Sequence, residues 1–386
     1  MHETGIEPYF VMKDGKKLRF GYTTGTCASA AAKAATIMLL SGKTPQSVKI
    51  MTPKGIELDL EVLEPEYSGE GTRCAVRKFS GDDPDITDGV LVYAAAKLRS
   101  EPGVGVQGGV GVGRVTKPGL KQAIGEAAIN PVPMEMIRRA AEEAMDDCGA
   151  TVGLEITISI PAGIELAKKT FNPRLGIVGG ISVLGTSGIV EPMSEEALLA
   201  SIELEVRQKH ALGTKRIIIT PGNYGADFAN AVCSIPETDL VKCSNFVGKV
   251  IDMAADEGFE EVLLIGHIGK LIKVSGGIMN THSREADCRA ELMAVAALRA
   301  GADAELAGQI LECVTTDEML RVIKDAGLLE RTMSAVEEKI DFYLKNRVRE
   351  KCVIGAIVFS EAYGTLCTTG PAGAWLEEMR NGDKKE

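Results

Sequence analysis

The sequence predicts a chain of two domains that belong to different classes of mixed α and β structure. We expect an α+β domain over residues 1–165 and a doubly wound, Rossmann-like α/β domain with a mostly parallel sheet over residues 166–386. The chain length of 386 residues suggests two domains, since one domain usually has about 100–200 residues. Hairpin-like segments mix with helical ones in the first part, whereas strands and helices alternate in the second, which is typical of parallel sheets.

An alanine-rich segment and several alternating segments define the first domain. Residues 21–40 predict a helix, because alanine has the highest helix propensity and threonines precede it as candidate caps. Residues 47–63 alternate apolar and polar side chains on both sides of a Pro-Lys-Gly turn, which predicts a β-hairpin. The other predicted elements are a strand at 72–80, helices at 89–99 and 133–147, and a strand at 151–160.

Strand and helix patterns alternate along the second domain. Ser194 can cap a helix whose first turn carries Glu195 and Glu196, which suit the positive end of the helix dipole. Gly213 ends that helix. The predicted strands are 176–183, 215–220, 261–266 and 352–359, and the predicted helices are 194–212, 246–258, 284–300 and several more up to residue 346.

Composition and charge exclude several classes of function. Apolar residues make up 45 % of the chain, charged residues 25 %, and the net charge is −11, which argues against a nucleic-acid partner. The sequence has no apolar run long enough to span a membrane and no visible signal peptide. Its nine cysteines form no CxxC pair, which argues against a zinc finger or a thioredoxin-type site, and no residue is assigned as a metal ligand. We expect a cytoplasmic protein, and whether it forms a homo-oligomer stays open.

The first candidate ligand loop, GYTTGTCAS at residues 21–29, lies where the first predicted helix begins. Free backbone N–H groups and hydroxyls at such an end suit a carboxylate or a phosphate. The candidate residues are Thr23, Thr24, Gly25 and Thr26. The alternative is a well-capped buried helix, because small residues also allow close packing.

The second candidate loop, residues 178–192, follows a predicted strand and leads into a helix. Small residues in this position allow a cofactor to approach the backbone. No GK[ST] motif follows, so it is not a Walker loop. A purely structural turn is the alternative. The candidate cofactor-binding residues are Gly179, Gly180, Gly185, Thr186, Ser187 and Gly188.

The third candidate loop, GDDPDITDG at residues 81–89, contains four aspartates, with Asp85 at its centre. Clustered carboxylates can bind Mg²⁺, hold ribose hydroxyls or accept a proton. Aspartates also cap helices and begin turns, which accounts for some of the four without any function.

Two segments, 220–229 and 266–287, follow predicted strands at their carboxyl ends, where ligands bind in open α/β sheets. His267 and His282 are candidate catalytic residues there, although a single histidine is often structural. A solvated surface is the alternative explanation for the basic residues nearby, Lys270, Lys273 and Arg284.

These loops together resemble one enzyme family, the cobalt-precorrin-5B C1-methyltransferases (CbiD) of oxygen-independent cobalamin synthesis. The similarity runs from about residue 15 to about residue 375. The segments that carry it are RFGYTTGTCASAAAKAA (19–35), SGDDPDITDG (80–89), GVGRVTKPGL (111–120), AAINPVPMEMI (127–137), TFNPRLGIVGGISVLGTSGIVEPMS (170–194), TPGNYG (220–225) and LIGHIGKLIKVSGGIMNTHSREAD (264–287).

The resemblance implies that S-adenosylmethionine methylates C1 of an anionic cobalt tetrapyrrole, whose cobalt belongs to the substrate. The products would be cobalt-precorrin-6A and S-adenosylhomocysteine. Transfer from a sulfonium mainly needs alignment of the reactants, which can supply roughly 7–11 kcal/mol of the barrier. The methylated ring can then lose a proton, for which Asp85, His267 and His282 are candidate acceptors.

We expect the residues 178–188 to cradle the cofactor and Asp227 to hold its ribose. The acidic arms of the substrate need local positive charge, and residues 1–60 carry eight Lys and Arg against five Asp and Glu. We expect the threonine loop 21–29 and the basic residues to face one cleft between the domains. Those basic residues are Arg19, Lys33, Lys270 and Arg284.

Two other functions stay open on the sequence alone. A nucleotide-dependent phosphotransferase would use the glycine loops for phosphates, although the Walker lysine is missing. A non-catalytic corrinoid carrier would need an apolar groove, and it would transfer no methyl group.

Overall fold

The computed structural model describes residues 3–170, 172–233, 235 and 239–382. The chain divides into two units, Met1–Ala197 and Leu198–Glu386. Both units combine helices with sheets, so the predicted mixed α/β class is confirmed. In the part of the chain that the structure describes, no helix is both long enough and apolar enough to cross a bilayer.

The first unit contains many short strands and few helices. Its helices are α1 (Thr24–Ser41), α2 (Pro131–Asp147) and α3 (Gly163–Ala167), and α4 (Glu195–Ala211) crosses the boundary between the units. Its strands are β1 (Phe10–Lys13), β2 (Lys16–Arg19), β3 (Gly21–Tyr22), β4 (Ser47–Met51), β5 (Glu57–Glu61), β6 (Leu63–Ser68), β7 (Gly71–Arg77), β8 (Leu91–Arg99), β9 (Val104–Gly108), β10 (Gly111–Val112), β11 (Arg114–Val115), β12 (Gly153–Ser159), β13 (Ile177–Val178), β14 (Gly180–Ile181) and β15 (Ile189–Val190).

The alanine-rich helix α1 packs against a five-stranded sheet of order β6-β7-β8-β12-β9. Its small side chains let the helix lie close to the strands, so that strand side chains reach its backbone carbonyls. Thr72 Oγ1 donates to the carbonyl of Ala35 at 2.6 Å, and Cys74 Sγ donates to that of Ala31 at 3.3 Å. The predicted helix at 21–40 and the hairpin at 47–63, which is β4 paired with β5, are both confirmed.

The prediction of a helix over 89–99 is wrong, because these residues form strand β8. Three consecutive alanines favoured a helix, yet side chains along the strand alternate between buried and partly exposed. Val92, Ala94 and Ala96 point into the core, and β7 and β12 flank the strand on its two sides. Tertiary packing therefore outweighs the helix propensity of the alanines in this segment.

Short strands tie the segment after residue 165 to the first unit. Strand β13 pairs with β11, β14 pairs with β10, and β15 pairs with β3. The unit therefore ends at Ala197, later than the boundary expected after residue 165. The predicted strand at 176–183 is split into β13 and β14.

The second unit contains a single larger sheet flanked by helices. Its strands are β16 (Arg216–Thr220), β17 (Leu240–Lys242), β18 (Glu261–His267), β19 (Val353–Ser360) and β20 (Gly364–Thr368). Its helices are α5 (Asn223–Cys233), α6 (Val247–Glu257), α7 (Ile268–Val274), α8 (Arg289–Arg299), α9 (Ala304–Glu312), α10 (Thr316–Asp325), α11 (Leu329–Val348) and α12 (Ala372–Gly382).

The strand order of this sheet is β17-β16-β18-β19-β20, parallel except for the last strand. Alternate side chains of each strand enter different cores, as the period of two requires. Val262 and Leu264 pack with α6 and α7 on one face, whereas Leu263 and Ile265 pack with α5 and α12 on the other. Helices therefore cover both faces of the sheet.

We predict that Gly111→Ala destabilises the first unit far more than Gly103→Ala. Both glycines have left-handed φ angles, +75° and +83°, which cost an L-residue about 1 kcal/mol or more. A Cβ atom at position 111 would lie 1.8 Å from the carbonyl oxygen of Ile160, whereas nothing lies within 4 Å of one at position 103. Urea unfolding followed by far-UV circular dichroism measures the difference, and equal midpoints for the two variants would contradict the prediction.

Candidate functional site

A cavity of about 500 Å³ lies at the carboxyl edge of the sheet in the second unit. The residues after β16, β17 and β18 line it, together with the loop before α8 and the first turn of α10. The side chains that matter for its chemistry are Tyr224, Asn245, His267, Lys270, Lys273, Arg289 and Asp317.

Strand order explains why a cavity forms there. Helix α5, which follows β16, packs on one face of the sheet, whereas α7, which follows the neighbouring strand β18, packs on the other. The two connections leave adjacent strands in opposite directions and open a crevice between them. Ligands of open α/β sheets bind at such a switch point.

Lys270 places a half-buried ammonium group in the cavity without a counter-charge. It has no hydrogen-bond or ion-pair partner among the residues that the structure describes. Burial lowers its pKa; Cys243 opposes this effect, and the charge of Lys273 adds to it. A Cβ atom at Gly222 would lie 3.3 Å from the Lys270 nitrogen, so a glycine leaves room for the ammonium group.

Lys273 contributes a second ammonium group, and its side chain is only 2 % exposed. Its Nζ donates a hydrogen bond to the carbonyl of Thr281 at 3.1 Å and lies 4.0 Å from Asp287. Asp287 is also bound by Arg289, at 2.7 Å and 3.1 Å. Burial lowers the pKa of Lys273, although Asp287 counteracts that effect.

Both histidines that line the cavity accept a backbone hydrogen bond on Nδ1. The backbone N–H of Gly269 donates to Nδ1 of His267 at 3.0 Å, and the N–H of Arg284 donates to Nδ1 of His282 at 3.1 Å. Since Nδ1 accepts a hydrogen bond in each ring, the neutral ring carries its proton on Nε2. This arrangement favours hydrogen-bond donation over the proton-acceptor role expected from the sequence.

The aromatic ring of Phe359 supports His267 from the core. The two rings meet edge to face with centroids 5.6 Å apart, and Tyr224 lies 6.2 Å from the histidine on the exposed side. The imidazole is therefore held between a buried ring and the rim of the cavity.

Asp317 is the single carboxylate among the described residues that line the cavity. It lies in the first turn of α10, where the helix dipole favours negative charge. The hydroxyl of Ser360, at the carboxyl end of β19, donates to its Oδ1 at 2.9 Å. Its Oδ2 has no hydrogen-bond partner in the described ranges and can receive one.

The threonine loop at the start of α1 contacts the loop that was expected to bind the cofactor. The N–H of Gly25 donates to the carbonyl of Leu184 at 2.9 Å, and the N–H of Thr23 donates to that of Gly188 at 3.1 Å. Thr26 Oγ1 also donates to Gly188, and Thr24 Oγ1 donates to Leu184. The structure brings these two loops together within the first unit, and these groups already bind protein partners.

The glycines between residues 179 and 188 mostly allow the chain to approach itself. A Cβ atom at Gly180 would lie 2.2 Å from the carbonyl oxygen of Gly111, and one at Gly185 would lie 2.2 Å from Thr23 Oγ1. A Cβ at Gly188 would lie 2.9 Å from Thr52. Of the other predicted cofactor-binding residues in this loop, Gly179 and Thr186 are exposed. The hydroxyl of Ser187 donates to the carbonyl of Ile189.

Arg19 and Lys33, which were expected to bind the acidic substrate, are both paired with carboxylates of the first unit. Arg19 binds Asp82 at 2.8 Å, and Lys33 binds Glu143 at 2.8 Å. In the second unit, Asp227 is exposed on α5 outside the lining of the cavity. Arg284 is exposed and does not line the cavity either.

All four aspartates of the loop 81–89 have protein partners. Asp82 binds Arg19, Asp83 accepts from the N–H of Met193, and Asp88 accepts from the N–H of Ser80. Asp85 forms an ion pair at 2.6 Å with Lys78, whose side chain is 2 % exposed. No helix begins near Gly89, so the helix-capping explanation is wrong.

The charge of Lys78 fixes the protonation of Asp85. Burial raises the pKa of Asp85, but the charge of Lys78 and hydrogen bonds from Lys78 and Thr87 outweigh that effect. The pKa is therefore held below its ordinary value. An anionic, paired carboxylate in this position stabilises the loop and is poorly suited to accept a proton.

Sequence reasoning missed Asn245 and Asp317 as members of the cavity. Asn245 follows β17, a strand of three residues that is too short for a pattern to identify. Asp317 lies in the segment TTDE, which is typical of a helix start and gives no functional signal. For Lys273 a signal existed, since it follows Lys270 by one helical turn and faces the same cavity.

Comparisons with known proteins identify relatives over nearly the whole chain. Residues 11–192 match the family described as CbiD, and residues 280–370 match the CbiD C-terminal domain. A cobalt-precorrin-5B C(1)-methyltransferase from Ruminiclostridium cellulolyticum is 47 % identical over 353 residues, which cover 91 % of each chain. The enzyme of the same name from Thermoanaerobacter sp. is 47 % identical over 368 residues, 95 % of this chain and 99 % of the relative.

One solved structure is also similar to this chain. It is the crystal structure of the cobalamin biosynthesis protein CbiD from Archaeoglobus fulgidus, with 30 % sequence identity. The match covers 72 % of this chain and 86 % of the other, with a TM-score of 0.39.

We predict that Asp85→Asn destabilises the first unit by about 3 kcal/mol or more, because it leaves the buried Lys78 without its counter-charge. The control is Asp83→Asn, since an asparagine at that position can still accept the hydrogen bond from Met193. Urea unfolding at neutral pH measures both variants. Equal stabilities for the two would show that the ion pair contributes little.

The stabilising effect of Asp85 should also depend on pH. Its pKa is lowered in the folded state, so its contribution is fully present above the unfolded pKa of about 3.9 and is lost as the pH falls through the folded value. We expect the gap in urea midpoint between wild type and Asp85→Asn to narrow on acidification below that range. A difference in urea midpoint that stays constant until the protein unfolds in acid would contradict this pH dependence.

Proposed function

Because this chain belongs to the CbiD family, we propose that it catalyses the methylation of C1 of cobalt-precorrin-5B by S-adenosylmethionine, giving cobalt-precorrin-6A and S-adenosylhomocysteine. Relatives that are named for this activity are 45 % and 47 % identical to this chain over nearly their full length. We also propose that the second domain has the doubly wound, Rossmann-like fold expected from the sequence. The strand order and the helical layers on both faces of its sheet support this fold.

We assign the S-adenosylmethionine site to the cavity of the second unit, and the unpaired ammonium of Lys270 carries this assignment. A buried charge is costly unless a counter-charge is present, so the cavity needs an anionic ligand. The α-carboxylate of S-adenosylmethionine supplies one. A volume of about 500 Å³ also lies within the range of small-molecule sites. The loop at 178–188, expected from the sequence to hold the cofactor, already binds the start of α1 through Leu184 and Gly188.

The residues of the chain then have mainly binding and orienting roles. Bound S-adenosylmethionine would supply a methyl group already activated on its sulfonium, so no nucleophilic side chain is required. Lys270 anchors one end of the ligand, and the Nε2–H of His267 donates a hydrogen bond into the cavity. Asn245 follows the strand next to β16, where its side-chain amide can both donate to and accept from ribose hydroxyls.

We place the reaction in the cytoplasm. The eight cysteines whose state the structure describes are all free thiols, as expected for a reducing compartment.

Anaerobic incubation with methyl-labelled S-adenosylmethionine and cobalt-precorrin-5B tests the activity directly. We expect label in the macrocycle and formation of S-adenosylhomocysteine. A bound but unlabelled macrocycle would indicate a carrier instead. Thermal stabilisation by ATP but not by S-adenosylmethionine would favour the phosphotransferase.

We predict that Lys270→Met raises the dissociation constant for S-adenosylhomocysteine about tenfold or more, because a charged hydrogen bond is lost. The control is Lys215→Met, an exposed lysine at the opposite, amino end of β16, paired with Glu260 at 3.3 Å. Isothermal titration calorimetry measures both. An unchanged affinity in Lys270→Met would show that Lys270 does not bind the anionic group of the ligand.

A further inference from the structure

The cavity carries an uneven charge distribution. Lys270, Lys273 and Arg289 line it with positive charge, and Asp317 is its single carboxylate in the described part of the chain. S-adenosylmethionine has a carboxylate, an ammonium and a sulfonium, so it is a net cation. A cavity with only positive side chains would repel it.

Asp317 is not needed for the start of its own helix. The N–H of Glu318 donates to Thr315 Oγ1 at 3.2 Å, and the N–H of Val314 donates to Glu318 Oε2 at 3.1 Å. These two bonds cap α10 reciprocally without Asp317. The hydrogen-bonded cap therefore consists of Thr315 and Glu318, and the Asp317 side chain takes no part in it.

Asp317 is nevertheless held in a fixed orientation. Ser360, which is 1 % exposed, donates to Oδ1 and itself accepts a hydrogen bond from the N–H of Ala362 at 3.1 Å. The free Oδ2 remains available to a ligand in the cavity. Asp317 adjoins Thr316, whose Oγ1 lies 3.5 Å from a Cβ built at Gly269, the residue before Lys270. The carboxylate and the unpaired ammonium thus belong to neighbouring segments of one cavity.

We propose that Asp317 binds the α-ammonium group of the cofactor while Lys270 binds its α-carboxylate, so that the cavity recognises the amino-acid end of S-adenosylmethionine. This inference rests on the proposed function and assigns a residue to it. A carboxylate and an ammonium group that line one cavity match the two charges of an α-amino acid. The pairing would also orient the sulfonium, which lies three bonds from the α-carbon.

Titration of purified Asp317→Asn with two ligands tests the assignment. S-adenosylhomocysteine has the amino-acid end, whereas 5′-methylthioadenosine keeps the adenine, ribose and sulfur without it. We expect Asp317→Asn to raise the dissociation constant for S-adenosylhomocysteine about tenfold or more, as for a lost charged hydrogen bond, and to leave that for methylthioadenosine unchanged.

Two further variants complete the experiment. Glu318→Gln removes a neighbouring charge on the same turn while keeping a capping side chain, and both affinities should stay at wild-type values. Ser360→Ala keeps the Asp317 charge but removes its orienting hydroxyl. We expect Ser360→Ala to weaken the binding of S-adenosylhomocysteine and not that of methylthioadenosine. If Asp317→Asn does not fold, this variant replaces it in the test.

The outcomes separate this inference from the proposed function. Equal loss of both ligands in Asp317→Asn would overturn the assignment, because the carboxylate would then act on the ribose or on the structure of the cavity. Unchanged binding of S-adenosylhomocysteine would overturn it as well. Failure of the wild-type protein to bind S-adenosylhomocysteine would instead refute the proposed function.

Discussion

The strand order β17-β16-β18 determines where the crevice of the candidate site lies. Because β16 lies between β17 and β18, which both follow it along the chain, the connections after β16 and β18 diverge to opposite faces of the sheet. That divergence opens the crevice and brings Asn245, His267 and Lys270 to one edge. Helix α10 closes the cavity from a distant part of the sequence and adds the opposite charge. The sheet thus positions one side of the cavity, and α10 adds Asp317 to it.

Pairing of charges distinguishes structural cations from cations that are available to a ligand. In the first unit Arg19, Lys33 and Lys78 each bind a carboxylate, and the most buried of them, Lys78, also donates a hydrogen bond to Ser80. In such pairs a carboxylate of the protein offsets the free-energy cost of burying the cation. Lys270 is half-buried as well, yet no described residue offsets its charge. The net charge of −11 is therefore a poor guide to ligand charge, because one unpaired ammonium matters more than the sum.

Local patterns predicted the second unit well, because parallel strands are apolar runs bounded by helices. The ends of β16 and β18 followed from those runs, and with them His267 and Lys270. The error at 89–99 arose because alanine suits a helix but also a tightly packed strand, and only the neighbouring strands decide between them. Asn245 was missed with the short strand β17, and Asp317 because its segment reads as an ordinary helix start.

The glycine-rich loops show why ligand contact is difficult to infer from composition. A glycine that lets a cofactor approach the backbone and one that lets another strand approach it have the same sequence signature. At Gly180 and Gly185 the approaching groups are Gly111 and Thr23, which lie far away in the sequence. These long-range contacts account for the glycines at positions 180 and 185, and no sequence pattern reveals them. Unpaired charge in a cavity is more informative, because the protein itself contains nothing that explains it.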